Sequence, residues 1–268
     1  MTASYSVPPV ERAFKLLRAI AAGDSVANMS ETARRLDISR TTLIRLIATL
    51  EAEQMIERRA DGTGYRLGLG IAGLAGQALV GSDIVQVGDP IIRALAEHLG
   101  LSAHIGVLDG RDVLYVARRT PNVHLVSNVG IGSRLPAHAT TLGRIILAFT
   151  PRDEVARLFH GVRLKAATDK TPTTLAALQR QIDIDRAAGV AWSDSHFEIG
   201  ISSAAAPVLD RTGAIAGAIN VTGPAAGFAP SRRRGIEEAL RDATLRLSRA
   251  LGFVSAHTTA PVETRRSR

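Results

Sequence analysis

The sequence predicts an α+β chain: an N-terminal winged helix-turn-helix, a short linker helix, and a larger antiparallel-sheet domain. Three observations predict this class. Two short helical patterns with a break between them occupy residues 30–50, and a strand, a turn and a second strand follow at 55–67. Beyond residue 83 the strand candidates come in hairpins with helical patterns grouped around them, which is typical of an antiparallel α+β domain.

The composition is that of a folded chain without cysteine chemistry. Of its 268 residues 46% are hydrophobic, which is enough to bury substantial cores and excludes wholesale disorder. No apolar run approaches the ~20 residues that span a bilayer, and residues 1–9 lack the features of a signal peptide. The absence of cysteine excludes disulfides and thiolate metal sites. We expect a cytoplasmic protein with no membrane partner, no cofactor and no metal.

The net charge of +8 suits a polyanionic partner, but it is not concentrated at the N-terminus. Residues 1–66 contain ten basic and eight acidic side chains, a net charge of only +2. An argument for nucleic-acid binding must therefore rest on where the arginines lie, not on their number.

The helix-turn-helix is read from residues 30–50. Ser30 is expected to cap the first helix and Ser39 the second, because a serine oxygen accepts from the free N–H groups of a first turn. Residues 36–38 make the turn between them. Apolar residues at i, i+3, i+4 and i+7 give the second helix its buried face: Leu43, Leu46, Ile47 and Leu50.

The opposite face of the second helix carries groups that bond phosphates and base edges. These residues are Ser39, Arg40, Thr41, Thr42 and Arg45. The hairpin at 55–67 would be the wing, and its arginines, Arg58, Arg59 and Arg66, are predicted to contact the DNA backbone or the minor groove. Two other readings stay open: a helical hairpin whose polar face is only solvated, and a winged-helix module that binds protein.

The rest of the chain completes the domain organisation. Residues 10–22 form a supporting helix with Val10, Phe14, Leu17 and Ile20 or Ala21 inward, and the small-residue helix 69–80 is expected to pack against a second copy of itself. We predict a DNA-binding domain at 7–68, a linker at 69–82, a second, antiparallel-sheet domain at 83–255 and a disordered basic tail at 256–268.

The second domain is predicted as hairpins flanked by helices. Pro90 should kink or restart its first helix, and residues 125–135 read as edge strand and loop. The predicted helices are 85–99, 140–149, 151–159, 174–188 and 230–251, and the predicted strands are 102–108, 113–117, 190–193, 202–209 and 214–221.

An enzyme is the alternative from another class. His138, Asp194, His196 and Glu198 could form an acid–base set or a metal site. No nucleophile elbow, zinc-protease motif, P-loop or dinucleotide fingerprint accompanies them. Ordinary loop and helix-end histidines are the favoured interpretation, so we expect no enzyme.

Three blocks of sequence resemble the IclR family of bacterial transcriptional regulators, and the resemblance runs from about residue 7 to 252. The blocks are residues 135–148 (LPAHATTLGRIILA), 198–208 (EIGISSAAAPV) and 213–224 (GAIAGAINVTGP), together with VERAFKLL at 10–17. The resemblance implies a dimer, often paired into a tetramer, that binds a palindromic operator in double-stranded DNA. It also implies a GAF-like C-terminal domain that binds a small organic or aromatic acid.

The resemblance places the effector pocket on these blocks. Its candidates in this sequence are Leu135, Thr141, Leu142, Asp194, Ile201, Ser203, Asn220 and Thr222. Ser193 is an equally good alignment choice for the position given to Asp194. Thr140 and Thr141 stand at a helix start, where free N–H groups favour a carboxylate. The function predicted is a regulator, acting as a repressor of a catabolic operon.

Overall fold

In the computed structural model, the chain is described at residues 6–80, 83–121 and 129–254, with side chains through residue 75 in the first of these segments. It divides into two compact units, Met1–Gly81 and Ser82–Arg268. The basic tail expected at 256–268 and the first part of the edge segment expected at 125–135 lie outside the described residues.

The first unit is a winged helix-turn-helix, as the sequence predicts. Its core is formed by residues from the helices and the wing together, including Leu16, Leu43, Ile47 and Tyr65. Its elements are α1 (Pro8–Ala21), α2 (Met29–Arg35), α3 (Arg40–Ala52), β1 (Ile56–Arg58), β2 (Tyr65–Leu67) and α4 (Leu69–Val80).

The inward face of α1 differs from the prediction. Leu16 and Ile20 are buried, whereas Val10 and Phe14 are 50% and 54% exposed. The helix carries two overlapping apolar stripes, and the one that includes Leu16 faces the core. Helical periodicity identifies both stripes but does not distinguish the stripe that packs inward from the one left on the surface.

The caps of α2 and α3 were predicted with mixed success. Ser39 caps α3, accepting from the amide N–H of Thr42 at 3.1 Å. Ser30 does not cap α2: Asn28 does, because its Oδ1 accepts from the amides of Ser30 and Glu31 at 3.1 and 3.2 Å. The helix therefore begins two residues earlier than a cap at Ser30 would place it.

The second unit is an antiparallel sheet with helices on both faces. Its helices are α5 (Asp83–Leu99), α6 (Thr141–Phe149), α7 (Arg152–Phe159), α8 (Leu175–Ala188) and α9 (Arg233–Ala250). Its strands are β3 (Ser102–Asp109), β4 (Asp112–Arg119), β5 (Arg134–Pro136), β6 (Ala191–Asp194), β7 (Ile201–Leu209) and β8 (Ile215–Pro224). The predicted helix 230–251 begins with a 3-10 turn at Pro230–Arg232.

The helix α5 runs through Pro90 without a restart, which leaves a kink as the form of the prediction that is still open. Gly100 ends it with φ +66°. Within the described part of the chain, no helix combines the length and apolarity needed to cross a bilayer.

The sheet has the order β5-β4-β3-β8-β7-β6, and every pair of neighbours is antiparallel. Adjacent residues of the central strand β3 face opposite ways. A Cβ on Gly106 would meet Leu142 of α6, while the side chain of Ile105 lies against Gly88 of α5. The core therefore lies on both faces, with α6 and α8 covering one and α5 and α9 the other.

Candidate nucleic-acid interface and effector cleft

The exposed face of α3 carries most of the predicted base-reading residues. Arg40, Thr41 and Arg45 are exposed, and neither arginine has an ion pair among the described residues. Thr42 is half-buried, and its hydroxyl lies 2.8 Å from Ser39 Oγ, so it stabilises the cap. Ile44 was missed: it is 48% exposed between Thr41 and Arg45 and offers the apolar contact that suits a thymine methyl.

The wing holds its arginines differently. Arg58 pairs with Glu51 at 3.4 Å and lies over the Tyr65 ring at 5.3 Å, and Arg66 pairs with Glu57 at 2.7 Å. Arg59 is exposed, and the described residues give it no salt bridge. Because surface pairs of this kind are weak, Arg58 and Arg66 can exchange a carboxylate for a phosphate at small cost.

An apolar groove lies within the first unit. Among the described residues that line it, Thr49 has the one polar side chain. The lining includes Val10, Phe14, Leu17, Leu46, Ile71 and Leu74. The stripe of α1 that does not face the core therefore forms a continuous exposed apolar surface with α4.

A cleft in the second unit lies between the start of α6, the strands of the sheet and the β6–β7 connection. It contains about 480 Å³, including the part open to solvent. Six of the eight predicted effector residues line it: Leu135, Thr141, Ile201, Ser203, Asn220 and Thr222. Thr140, noted with Thr141 at the helix start, and Ser193, the alternative to Asp194, also line it. The other lining residues were not predicted as effector residues, namely His104, Tyr115, Val129, Ala139, Phe197 and Glu198.

Two predicted effector residues do not line the cleft. Leu142 is fully buried and packs in the core against the strand at Gly106. Asp194 has a side chain that is 68% exposed and binds Lys170 Nζ at 3.1 Å, a hydrogen bond that lowers the pKa of this carboxyl. Ser193 lines the cleft instead, because successive residues of a strand point to opposite faces.

The start of α6 forms one wall of the cleft. Thr140 caps the helix through its hydroxyl, which accepts from the amide of Gly143 at 3.1 Å. The first N–H groups of a helix have no carbonyl partner within it, so the amide of Thr141, which lines the cleft, is available to an acceptor. The Thr141 hydroxyl lies 3.0 Å from Ser203 Oγ, and one hydrogen of that pair remains free to donate outward.

A buried ion pair holds α6 in place. Arg144 Nε donates to Asp185 Oδ2 of α8 at 3.0 Å, and its Nη2 donates to the carbonyl of Trp192 on β6 at 2.5 Å. Both side chains are almost fully buried, at 0% and 4% exposure. Burial raises the pKa of the Asp185 carboxyl, and the Arg144 charge opposes that shift.

The sheet forms another wall, with His104 of β3 opposite Asn220 of β8 in the register. His104 Nδ1 lies 2.9 Å from Asn220 Oδ1, and its ring meets Tyr115 edge-on with centroids 5.5 Å apart. Burial lowers the pKa of His104 to about 4 and raises that of Tyr115. The cleft thus carries neutral polar groups, with Glu198 as the charged side chain among its described lining residues.

The histidines considered for catalysis do not assemble a site. His138 Nε2 lies 2.9 Å from the Lys165 carbonyl, and its ring packs against Phe159. In the part of the chain that is described, no group of three His, Asp or Glu side chains is placed to hold a metal.

Comparison with known proteins matches both units to family models. Residues 9–60 match the IclR helix-turn-helix domain, and residues 76–249 match the model described as bacterial transcriptional regulator IclR C-terminal. The chain is 27% identical over 248 residues to the HTH-type transcriptional regulator KdgR of Escherichia coli K12, covering 92% of this chain and 94% of that one.

Solved structures agree on the fold. A crystal structure from Rhodococcus sp. RHA1 matches with TM-score 0.80 and 27% identity, over 92% of this chain and 98% of that one. An IclR homologue from Microbacterium hydrocarbonoxydans, complexed with 4-hydroxybenzoate, matches with TM-score 0.78 and 22% identity, over 91% and 98% of the two chains. At that identity the second likeness concerns the fold alone.

Proposed function

Because this chain belongs to the IclR family of bacterial transcriptional regulators, we propose that it is a cytoplasmic repressor whose hold on an operator is controlled by a small organic acid. Its family, relatives and fold are those of transcriptional regulators, not of enzymes. The observation that carries the DNA-binding part is the exposed face of α3, where Arg40 and Arg45 have no ion pair among the described residues. The direction of control is repression, since a protein that covers an operator excludes other proteins from that DNA.

Residues of α3 contact the bases, and the arginines of the wing contact the sugar–phosphate backbone of the DNA. Arg40 and Arg45 are long donors with no competing carboxylate among the described residues, which suits bidentate contact with guanine in the major groove. Arg59 is the wing arginine to which the described residues give no salt bridge. Arg58 and Arg66 add phosphate contacts after exchanging partners.

The protein acts as a dimer, which can pair into a tetramer. The exposed apolar groove that includes Phe14 and Leu74 supports this, because such surfaces mark protein–protein contacts. A two-fold dimer places two recognition helices on the half-sites of a palindromic operator.

The effector is a monocarboxylate bound in the cleft of the second unit. Its carboxylate is held by the Thr141 amide at the start of α6 and by the hydroxyl pair of Thr141 and Ser203. Leu135 and Ile201 supply apolar walls. An acid with more than one charge is disfavoured, since Glu198 lies among the lining residues and the described lining contains no lysine or arginine.

The test of the DNA-binding assignment compares two arginines. Arg45→Ala is expected to weaken binding to the operator by about 1–3 kcal/mol and to relax its sequence preference, because a base contact is lost. Arg59→Ala is expected to weaken operator and scrambled DNA alike and to lower the salt slope by about one, because a phosphate contact is lost. Fluorescence anisotropy with the chain's own upstream DNA measures both. Unchanged operator affinity for Arg45→Ala would show that α3 is not the reading helix.

A further inference from the structure

One polar atom in the cleft wall has a defined hydrogen-bonding need that the described part of the chain does not meet. His104 is 1% exposed, and its Nε2 has no hydrogen-bond partner among the described residues. Buried polar groups are nearly always bonded, so an unpaired one that lines a ligand cleft points to a group supplied from outside. The hydroxyl of Ser102, two residues earlier on the same face of β3, is also buried and has no partner within the described ranges.

The neighbouring amide fixes what that group must be. Asn220 Oδ1 can only accept a hydrogen bond, so Nδ1 of His104 carries the hydrogen in their 2.9 Å contact. Desolvation keeps the ring neutral, since the pKa of His104 falls to about 4. A neutral imidazole has one N–H, so its Nε2 is a bare acceptor and needs a donor.

Tyr115 adds a second group of matching character. Its ring lies edge-on to His104, and Tyr115 also lines the cleft. Burial raises its pKa, so it stays protonated and can donate. A ligand hydroxyl satisfies both neighbours, because it donates to one and accepts from the other, whereas a carbonyl, an ether or a second carboxylate cannot donate to Nε2.

We propose that the effector is a hydroxylated monocarboxylic acid, and that its hydroxyl donates to Nε2 of His104 while its carboxylate lies at the start of α6. This inference rests on the proposed effector function and names the chemical class that the site selects. His104 becomes the specificity-determining residue of the cleft, with Asn220 as the positioning residue that sets its tautomer.

The test uses matched acids on the full chain. Dissociation constants for 4-hydroxybenzoate, benzoate and 4-methoxybenzoate, and for 3-hydroxybutyrate, butyrate and 3-methoxybutyrate, are measured by calorimetry. In at least one series the hydroxylated acid is expected to bind about tenfold or more tightly than both analogues. A difference of this size corresponds to one buried hydrogen bond between the ligand and the protein. In His104→Phe the preference is expected to vanish, while the affinity for the unhydroxylated acid is kept.

A measurement on the unmodified protein guards against misfolding of the variant. Nitrogen-15 spectra of the histidine rings are expected to show His104 with its hydrogen on Nδ1, and its Nε2 resonance is expected to move with the hydroxylated acid only. Equal binding of all three acids in both series would overturn the hydroxyl inference and leave the acid-effector function standing. If none of the acids binds, both the hydroxyl inference and the acid-effector function are overturned. If no acid moves the Nε2 resonance, the hydroxyl inference is overturned, and the partner of Nε2 is a buried water only.

Discussion

Replacing Arg144 with methionine is expected to destabilise the second unit by about 3–5 kcal/mol, because the change leaves Asp185 buried without its counter-charge. The carboxyl loses its pairing with Nε, and the carbonyl of Trp192 loses a donor. The remaining partner of Asp185 is the amide of Gln181, at 3.1 Å from Oδ1. A single neutral hydrogen bond does not offset the desolvation of a buried carboxylate.

The loss of stability in the Arg144→Met variant should be larger at neutral pH than in acid. Burial already raises the pKa of Asp185, and removing Arg144 raises it further. A raised pKa in the folded state makes folding less favourable above the ordinary carboxyl pKa, where the unfolded chain releases the proton and the folded chain holds it. The variant is therefore expected to lose most stability at neutral pH and to recover part of it in acid.

Urea unfolding followed by tryptophan fluorescence measures this change, since Trp192 is the only tryptophan and lies in the second unit. Arg152→Met is the matched control: Arg152 pairs with Asp183 of the same helix α8 at 2.6 Å, but its side chain is 69% exposed. The Arg152→Met substitution should lower the free energy of unfolding by no more than about 1 kcal/mol. Equal losses for the two variants would contradict the structural role given to the buried pair.

Gly143→Ala is expected to lower the free energy of unfolding by about 1–3 kcal/mol or more and to abolish effector binding. A Cβ at this position would lie 2.1–2.5 Å from backbone atoms of Ala137, and backbone cannot move aside as a flexible side chain can. The start of α6 would have to move away from Ala137, and with it the amide that is proposed to hold the carboxylate. Calorimetric titration with 4-hydroxybenzoate and urea unfolding measure the two effects.

Gly235→Ala is the control for the glycine. Gly235 lies in the helix α9, and a Cβ there would meet no atom within 4 Å. This substitution should be neutral or stabilising by up to about 1 kcal/mol, because alanine has the higher helix propensity. If Gly143→Ala were as stable as Gly235→Ala, the close packing of α6 on Ala137 could not be what fixes the cleft wall.

Local patterns predicted most of the fold. The wing could be predicted because a strand, a turn and a second strand follow one another within a short stretch. The cap at Ser39 could be predicted because its side-chain oxygen accepts a hydrogen bond from an amide only three residues along the chain. Residues whose role depends on distant packing were not found in this way. Val10 and Phe14 belong to an apolar stripe that periodicity alone assigns to the core, and they lie on the surface.

The cleft shows the same division. The threonines at the start of α6 are visible in sequence because a helix start has a local signature. His104 was missed because its importance comes from Asn220, which is 116 residues away and becomes its neighbour through the pairing of β3 with β8. Leu142 was misplaced because a helix start does not indicate which of its first residues turns toward the ligand and which toward the core.

The central claim is that a small acid controls sequence-specific DNA binding by this chain. It is tested most directly by fluorescence anisotropy with the chain's own upstream DNA and a scrambled fragment of equal length, each with and without the hydroxylated acids. The account predicts tighter binding to the upstream fragment, an affinity that falls steeply with salt, and a shift in that affinity caused by at least one hydroxylated acid. Equal affinity for both fragments, or an affinity that no acid changes, would contradict it.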